Sequence, residues 1–323
     1  MRNGKLLLIL FIVLLLAGIT GGVVYYQKTA AREDEALLEA SERAKRFVPS
    51  LTYQEQDYPL KRNVRALLLI GTDNYIDDNK QYEDLPYNFN LADFLVVLVF
   101  DNAARTITPV QICRDTMCEV FLPDGSTRRE QITLAHTYGT GKEDSCAMTR
   151  DTVENLLFGV PIDNFFAFTM ETVPLLNDLV GGVSVKLEDD IPALGPEYVK
   201  GATILLQGKA ALRFVRYRDT SLLDDNLRRM AHHRQYLTAF TESARTAINK
   251  DPDFAQKAFK ASERYLCTDL SAENVSTLIE NLGEYEILPA LTPSGSYIKG
   301  EEFPEYIVDE ESLWSCVRTA FCA

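Results

Sequence analysis

The chain has 323 residues, of which 46% are hydrophobic and 25% charged, ordinary proportions for a folded protein with length enough for a sizeable core. A formal net charge of −14 argues against a nucleic-acid partner, since such binding is driven by cationic patches that neutralise phosphates. No helix-turn-helix or zinc-finger pattern is present.

The first landmark is Leu6–Tyr26, which carries no charge. At about 1.5 Å per residue a helix of this length spans roughly the 30 Å hydrocarbon core of a bilayer. Tyr25 and Tyr26 sit where interfacial aromatics belong, Arg2 and Lys5 precede the run, and Glu33, Asp34 and Glu35 follow it. That asymmetry predicts a single transmembrane helix over 6–26, a cytoplasmic N-terminus over 1–5, and the bulk of the chain outside the cell membrane. The apolar run is longer than the core of a cleaved signal peptide. Residues 27–60 are polar, with a helical pattern in EALLEASERAKRF before Pro49, and read as a stalk.

Beyond the stalk, strands and helices alternate. Arg65–Ile70 reads as a buried strand running into Gly71-Thr72-Asp73, and Asp93–Asp101 as a second with an aspartate at its start. Between them, 74–92 is acidic and loop-like. Arg105–Cys113 is a third strand, leading into Arg114-Asp115-Thr116. Helices follow at Gln131–Tyr138, Cys146–Leu157 and Glu171–Val180, with strands at Phe165–Thr169 and Val183–Leu187. Gly208–Phe214 is a short helix, Asp225–Asn249 a long one, and Ser271–Leu282 and Glu310–Phe321 close the chain. The pattern predicts an α/β fold over 61–323, a single α-β-α domain with a central mixed sheet.

Six cysteines (Cys113, Cys118, Cys146, Cys267, Cys316, Cys322) are an even number in a chain expected outside the membrane. At least one disulfide is expected, within Cys113, Cys118 and Cys146 or near Cys316 and Cys322. No Cys-x-x-Cys spacing suggests zinc, and no Cys/His pair or Gly-x-Ser-x-Gly elbow suggests covalent catalysis.

The stretch Arg213–Gln235 holds six arginines in an acidic chain. Arg216 and Arg218 are two apart, which places them on one face of an extended segment; Arg229 and His233 are four apart, which places them on one face of a helix. Arginine suits phosphate because its planar fork donates two parallel hydrogen bonds and stays charged. The alternative is a solvated face paired with Asp219, Asp224 and Asp225. Two strand-end carboxylates, Asp73 and Asp93, suit magnesium, which draws its other ligands from water and substrate phosphates. Arg114, Arg216, Arg218 and Arg229 then serve as a clamp on a phosphate or diphosphate.

The succession LLLIGTD, AD before a β-run, CRDT, QITLAHTYGTG, ENLLFGVPID, LVGGVSV and LQGKAALRFVRYR resembles the LytR–CpsA–Psr family, in detail over residues 61–250. The resemblance implies a membrane-anchored bacterial enzyme of the cell envelope. Such an enzyme moves a glycopolymer (a teichoic acid or capsular polysaccharide) from a polyprenyl-diphosphate carrier onto a peptidoglycan sugar hydroxyl. It implies magnesium on Asp73 and Asp93, and diphosphate on Arg114, Arg216, Arg218 and Arg229, with His233 beside them. It implies catalytic roles for Asp93, Arg114, Asp115, Arg216 and Arg218, the proton acceptor being Asp115 or Asp93. The lipid would occupy an apolar tunnel between sheet and helices.

Beside Cys113 in the place of a proline, three features depart from the family pattern: Leu91-Ala92 stand where Arg-Ser is usual, His232-His233-Arg234 replace Arg-Gln-Gln, and the loop between Asp73 and Asp93 is extended. With water as acceptor the same site is a polyprenyl-diphosphate-glycan phosphohydrolase. With the altered positions disabling it, the chain is a silent lipid- or glycan-binding module.

Overall fold

The structure is a computed structural model that describes residues 48–73, 90–251, 253–270, 285–301 and 303–323. The apolar run 6–26, the helical pattern 35–47, most of the acidic loop 74–92 and the helix expected over 271–282 lie outside the described residues. Among those described, no helix is long and apolar enough to cross a membrane.

In chain order the strands are β1 (Ser50–Tyr53), β2 (Gln56–Pro59), β3 (Val64–Thr72), β4 (Ala92–Asp101), β5 (Thr106–Ile112), β6 (Met117–Phe121) and β7 (Thr127–Gln131). A 3-10 helix, Ile132–Tyr138, then leads to α1 (Glu143–Leu156), β8 (Asn164–Thr169), α2 (Thr172–Leu179), β9 (Val183–Lys186) and β10 (Thr203–Leu206). After them come α3 (Lys209–Arg216), α4 (Asp225–Lys250), α5 (Phe254–Ser262), β11 (Leu266–Thr268), β12 (Glu286–Ile287), β13 (Gly295–Lys299), β14 (Pro304–Val308) and α6 (Glu310–Phe321). The stretch expected as one domain divides by its packing into two compact units. One comprises the described residues up to Phe168, Cys267–Leu270 and Leu288–Ala323; the other is chiefly Thr169–Leu266.

The first unit is built on a sheet in which β11, β8, β3, β4 and β5 lie side by side. β3 and β4 are antiparallel, as are β4 and β5. Their sequences explain their place. Ala66–Ile70 and Leu95–Phe100 are unbroken apolar runs, buried on both faces, so neither strand can be an amphipathic edge. Ser50–Pro59, within the expected stalk, form the β1–β2 hairpin instead, with Leu51 and Tyr53 buried in the core. Its alternation of inward Leu51 and Tyr53 with outward Thr52 is the signature of a half-buried strand.

Tyr53 stacks on Trp314 of α6 with ring centroids 4.6 Å apart, and Tyr58 and Phe158 meet the same indole edge-on at 4.8 and 5.3 Å. Helix α6 is fixed at both ends. Asp309 Oδ1 accepts the Ser312 amide at 2.7 Å as an N-cap, and Lys61 Nζ donates to the carbonyls of Thr319 and Ala320 at 3.2 and 3.1 Å. Trp314→Ala is expected to cost about 3–5 kcal/mol, because three aromatic rings lose their common partner. Urea titration checks this; a loss under about 1 kcal/mol would place the ring outside the core.

In the second unit, α4 presents Met230, Tyr236, Phe240 and Ala244 on a buried face, at a spacing that suits a helix. Tyr236 donates its hydroxyl to Asn177 Oδ1 at 3.1 Å, and Asn177 Nδ2 donates to Leu206 O at 3.0 Å, joining α4, α2 and the β9–β10 hairpin.

Candidate functional site

The antiparallel order of β3, β4 and β5 brings the end of β3, the start of β4 and the end of β5 to one end of the sheet. Asp73 follows β3 directly. In the β3–β4 register Gly71 faces Phe94 and Thr72 faces Ala92, so Asp93 is the extra residue of a bulge. A bulge turns its residue out of the regular alternation and is common beside functional sites. Gly71 is required here, since a Cβ would lie 2.8 Å from Phe94 Cβ and 3.2 Å from the Phe168 ring.

Arg114 and Asp115 leave the end of β5 in a turn closed by Thr116 N donating to Cys113 O at 3.1 Å. Neighbouring segments hold this turn: Thr133 N donates to Arg114 O at 3.1 Å and Tyr306 N to Asp115 O at 3.0 Å. The Arg114 side chain, 12% exposed, ion-pairs through Nη1 with Asp93 Oδ1, and its Nε lies 3.4 Å from Asp115 Oδ1. One guanidinium therefore bridges two nearly buried carboxylates. Asp115 also accepts the Tyr297 hydroxyl at 2.9 Å and lies 3.5 Å from Gln131 Nε2. Cys113 Sγ lies 3.2 Å from the same hydroxyl, so the cysteine in the proline position touches the site. Burial, reinforced by Cys113 and Asp115, holds the Tyr297 phenol well above its ordinary range, so it stays a protonated donor.

Tyr297 and Gln131 escape the sequence reading. Tyr297 lies in the β13–β14 hairpin, where SYIK and PEYIV flank Gly300. That pairing was the available signal, but nothing in it points to Asp115. His136 is also part of the frame. Its Nδ1 is 2.8 Å from Asn90 O, which makes Nδ1 the protonated nitrogen and ties the 3-10 helix to the approach to β4. Nε2 then accepts from Cys146 Sγ at 3.7 Å, a Cys/His contact across ten residues that no sequence spacing announces.

Burial pushes the His136 imidazole down to about 4. A folded value below the unfolded one, near 6.5, means that stability is lost as pH falls below about 6.5, down to the folded value. Charging the unfolded imidazole alone removes about 2 kcal/mol between pH 7 and pH 5. Thermal melts across that range are expected to fall, and to fall less steeply in His136→Asn. Parallel slopes would show that His136 is not the group responsible.

The other predicted residues lie in the second unit. Arg216 is the last residue of α3, not part of an extended segment. The helix continues two residues past Phe214 because Phe214 and Val215 are both buried, and the backbone turns extended only at Tyr217. The shared extended face expected for Arg216 and Arg218 is replaced by a helix end and the segment after it. Arg216 is exposed. Arg218 donates from Nε to Asp225 Oδ2 at 2.9 Å and from Nη2 to Asp225 Oδ1 at 3.1 Å, a two-pronged pair. Asp225 opens α4, where the helix dipole favours an anion. Arg213, exposed on α3, donates to Leu194 O at 3.0 Å.

Arg229 is buried at 4% exposure, one turn from His233 on α4. His233 Nε2 donates to Val215 O at 2.9 Å, satisfying a carbonyl of the last turn of α3. Burial, with the Arg229 charge beside it, pushes the imidazole down to about 3, so His233 is neutral at neutral pH. His232 is buried, with Nε2 3.1 Å from Asp189 Oδ1. Both histidines of the altered motif thus make structural contacts that bind α4 to α3 and to the segment after β9.

Asp73 and Asp93 supply hard oxygens from adjacent strand ends, a donor set that fits magnesium completed by water and phosphate. Among the described residues, no three His, Cys, Asp or Glu side chains are grouped to hold a metal by themselves.

The LytR_cpsA_psr family profile matches residues 21–304. The chain belongs to this family. The polyisoprenyl-teichoic acid–peptidoglycan teichoic acid transferase TagU of Bacillus licheniformis is 28% identical over 253 residues, 77% of this chain and 74% of that one. TagU of Bacillus subtilis is 29% identical over 217 residues, 67% of this chain and 63% of that one. Among solved structures, TagV of B. subtilis superposes with a TM-score of 0.59 at 22% identity, over 80% of this chain and 96% of that one. TagT bound to LIIa-WTA superposes with a TM-score of 0.59 at 20% identity, over 80% and 90%. At these identities the structures establish the fold of a LytR_cpsA_psr member, mixed α/β around a central mixed sheet.

Proposed function

We propose that this chain is a membrane-anchored phosphotransferase that moves a glycopolymer from a polyprenyl-diphosphate carrier to a peptidoglycan sugar hydroxyl, on the outer side of the cell membrane. The observation that carries the reading is the Asp93–Arg114–Asp115 cluster at the sheet end: a nearly buried guanidinium between two carboxylates, pre-positioned by Tyr297 and by backbone bonds. The family membership and the names of its teichoic acid transferases support it.

In this reading the guanidinium of Arg114 binds and orients the diphosphate; Arg216 and Arg218 are assigned to the diphosphate by the family motif alone. A carboxylate of the cluster takes the proton of the attacking hydroxyl. The phosphorus nearer the polymer is transferred, and polyprenyl phosphate leaves. Asp73 and Asp93 would hold magnesium, which supplies charge neutralisation on the phosphoryl oxygens when bound. Fixed charges aimed at the phosphoryl oxygens do most of the work in such transfers, because little covalent chemistry falls to the protein.

The test is incubation of the purified full chain with a polyprenyl-diphosphate-linked saccharide and magnesium, with and without a peptidoglycan oligomer. Saccharide joined to the oligomer, and lost on chelation, is the expected product. Release of saccharide at the same rate without the oligomer would make the chain a hydrolase, and binding without turnover would make it a silent module.

A further inference from the structure

All six cysteines are free thiols, and five of them are buried; Cys267 alone is half-buried. Cys146 lies on α1 and is fully enclosed, and Cys267 of β11 packs against the core cluster that contains it. The register of the two elements is fixed by a second pair. Arg150, one turn on from Cys146 and so on the same helix face, lies with Nη1 3.4 Å from Asp269 Oδ2. Asp269, two residues on from Cys267, also accepts the Phe165 amide at 2.8 Å. The same face of α1 that carries Arg150 to Asp269 therefore carries Cys146 to Cys267. A hydrogen bond to the Cys267 side chain is the foremost cause, ahead of burial, of the raised Cys146 thiol. On its other side Cys146 meets His136 Nε2 at 3.7 Å, the unprotonated nitrogen of a neutral ring. The pairings anticipated from sequence, among Cys113, Cys118 and Cys146 or between Cys316 and Cys322, do not include this one.

We propose that Cys146 and Cys267 are a thiol–disulfide redox couple, with Cys267 as the entry thiol and Cys146 as the resolving thiol. The oxidant is a small disulfide, RSSR. The Cys267 thiolate attacks one sulfur of RSSR, forms a mixed disulfide and expels RS⁻. Cys146 Sγ then attacks Cys267 Sγ as its proton passes to the departing sulfur, and the second equivalent leaves as RSH. One reagent S–S bond is exchanged for one protein S–S bond, two RSH are produced, and the protein gives up two electrons. The entry role falls to Cys267 because thiol exchange requires access, and Cys146 has none. The new bond would join α1 to β11 and close a loop containing Thr169–Leu266, nearly all of the second unit. Closing so long a loop removes much of the unfolded chain's freedom, so the oxidised form melts higher.

The test treats the folded full chain with glutathione disulfide, followed by thiol alkylation, intact mass and peptide mapping. The expected result is one Cys146–Cys267 link and a melting temperature raised by about 5 °C or more. Cys146→Ser is expected to accumulate a glutathione adduct on Cys267 that does not resolve. Cys267→Ser is expected to form neither adduct nor link, and both variants should melt like the reduced parent. Six alkylated thiols after treatment, or a link on any other pair, would overturn the proposal. So would an adduct on Cys267 in the parent chain that never resolves.

Discussion

Arg114→Lys is expected to leave the chain folded and to lower turnover by about 10²–10³-fold. The reasoning rests on geometry. Arg114 spans Asp93 through Nη1 and approaches Asp115 through Nε, with both carboxylates nearly buried. Lysine restores the charge, so neither carboxylate is left uncompensated, but a point charge cannot reproduce a planar fork that touches two partners. Arg114→Ala is a different experiment: it strands two neighbouring carboxylates and is expected to cost about 3–5 kcal/mol of stability. The lysine variant therefore separates chemistry from folding. Turnover measured beside a thermal melt decides the matter; a normal melt with normal turnover would reduce Arg114 to a structural ion pair.

The second large effect concerns Arg216 and Arg218, which the structure makes unequal. Arg216 is exposed at the C-terminus of α3, so Arg216→Ala is expected to leave the melting temperature unchanged while abolishing turnover and diphosphate-lipid binding. Arg218 is already bonded twice to Asp225, itself 3% exposed. Arg218→Ala is expected to lose turnover and also about 1–3 kcal/mol of stability, since the nearly buried Asp225 loses two charge-assisted bonds. Arg218→Lys should recover stability better than turnover. Arg213→Ala, which removes one bond to Leu194 O, is expected to be nearly silent in both. Binding and turnover in these variants are read against denaturant melts. Wild-type turnover in both alanine variants would leave the arginine stretch as a solvated, structural face.

How far the sequence carries is clearest at the sheet end. β3 and β4 are legible because each holds an unbroken apolar run with a charged residue at its boundary, and β5 because its β-branched residues lie between Arg105 and Arg114; antiparallel pairing then brings Asp73, Asp93 and Arg114 to one end. The bulge at Asp93 is not legible, because it depends on which residue pairs with Thr72. The polar strand TRREQ of β7 offers no alternation and was invisible as a strand. Tyr297 and Cys146–Cys267 are contacts between segments more than a hundred residues apart, which no local pattern encodes. The two histidines replacing the usual residues looked like changes to the site, whereas His233 bonds a helix-end carbonyl and His232 faces Asp189.

The central claim is phosphotransfer at the phosphorus nearer the polymer, and an isotope answers it most directly. A polyprenyl-diphosphate saccharide labelled on that phosphorus would be incubated with the full chain, magnesium and a peptidoglycan oligomer. Label and saccharide arriving together on the oligomer, through a phosphodiester, is the expected result. Label leaving with the lipid would mean attack at the sugar carbon, and label on free saccharide would mean attack by water; either contradicts the claim.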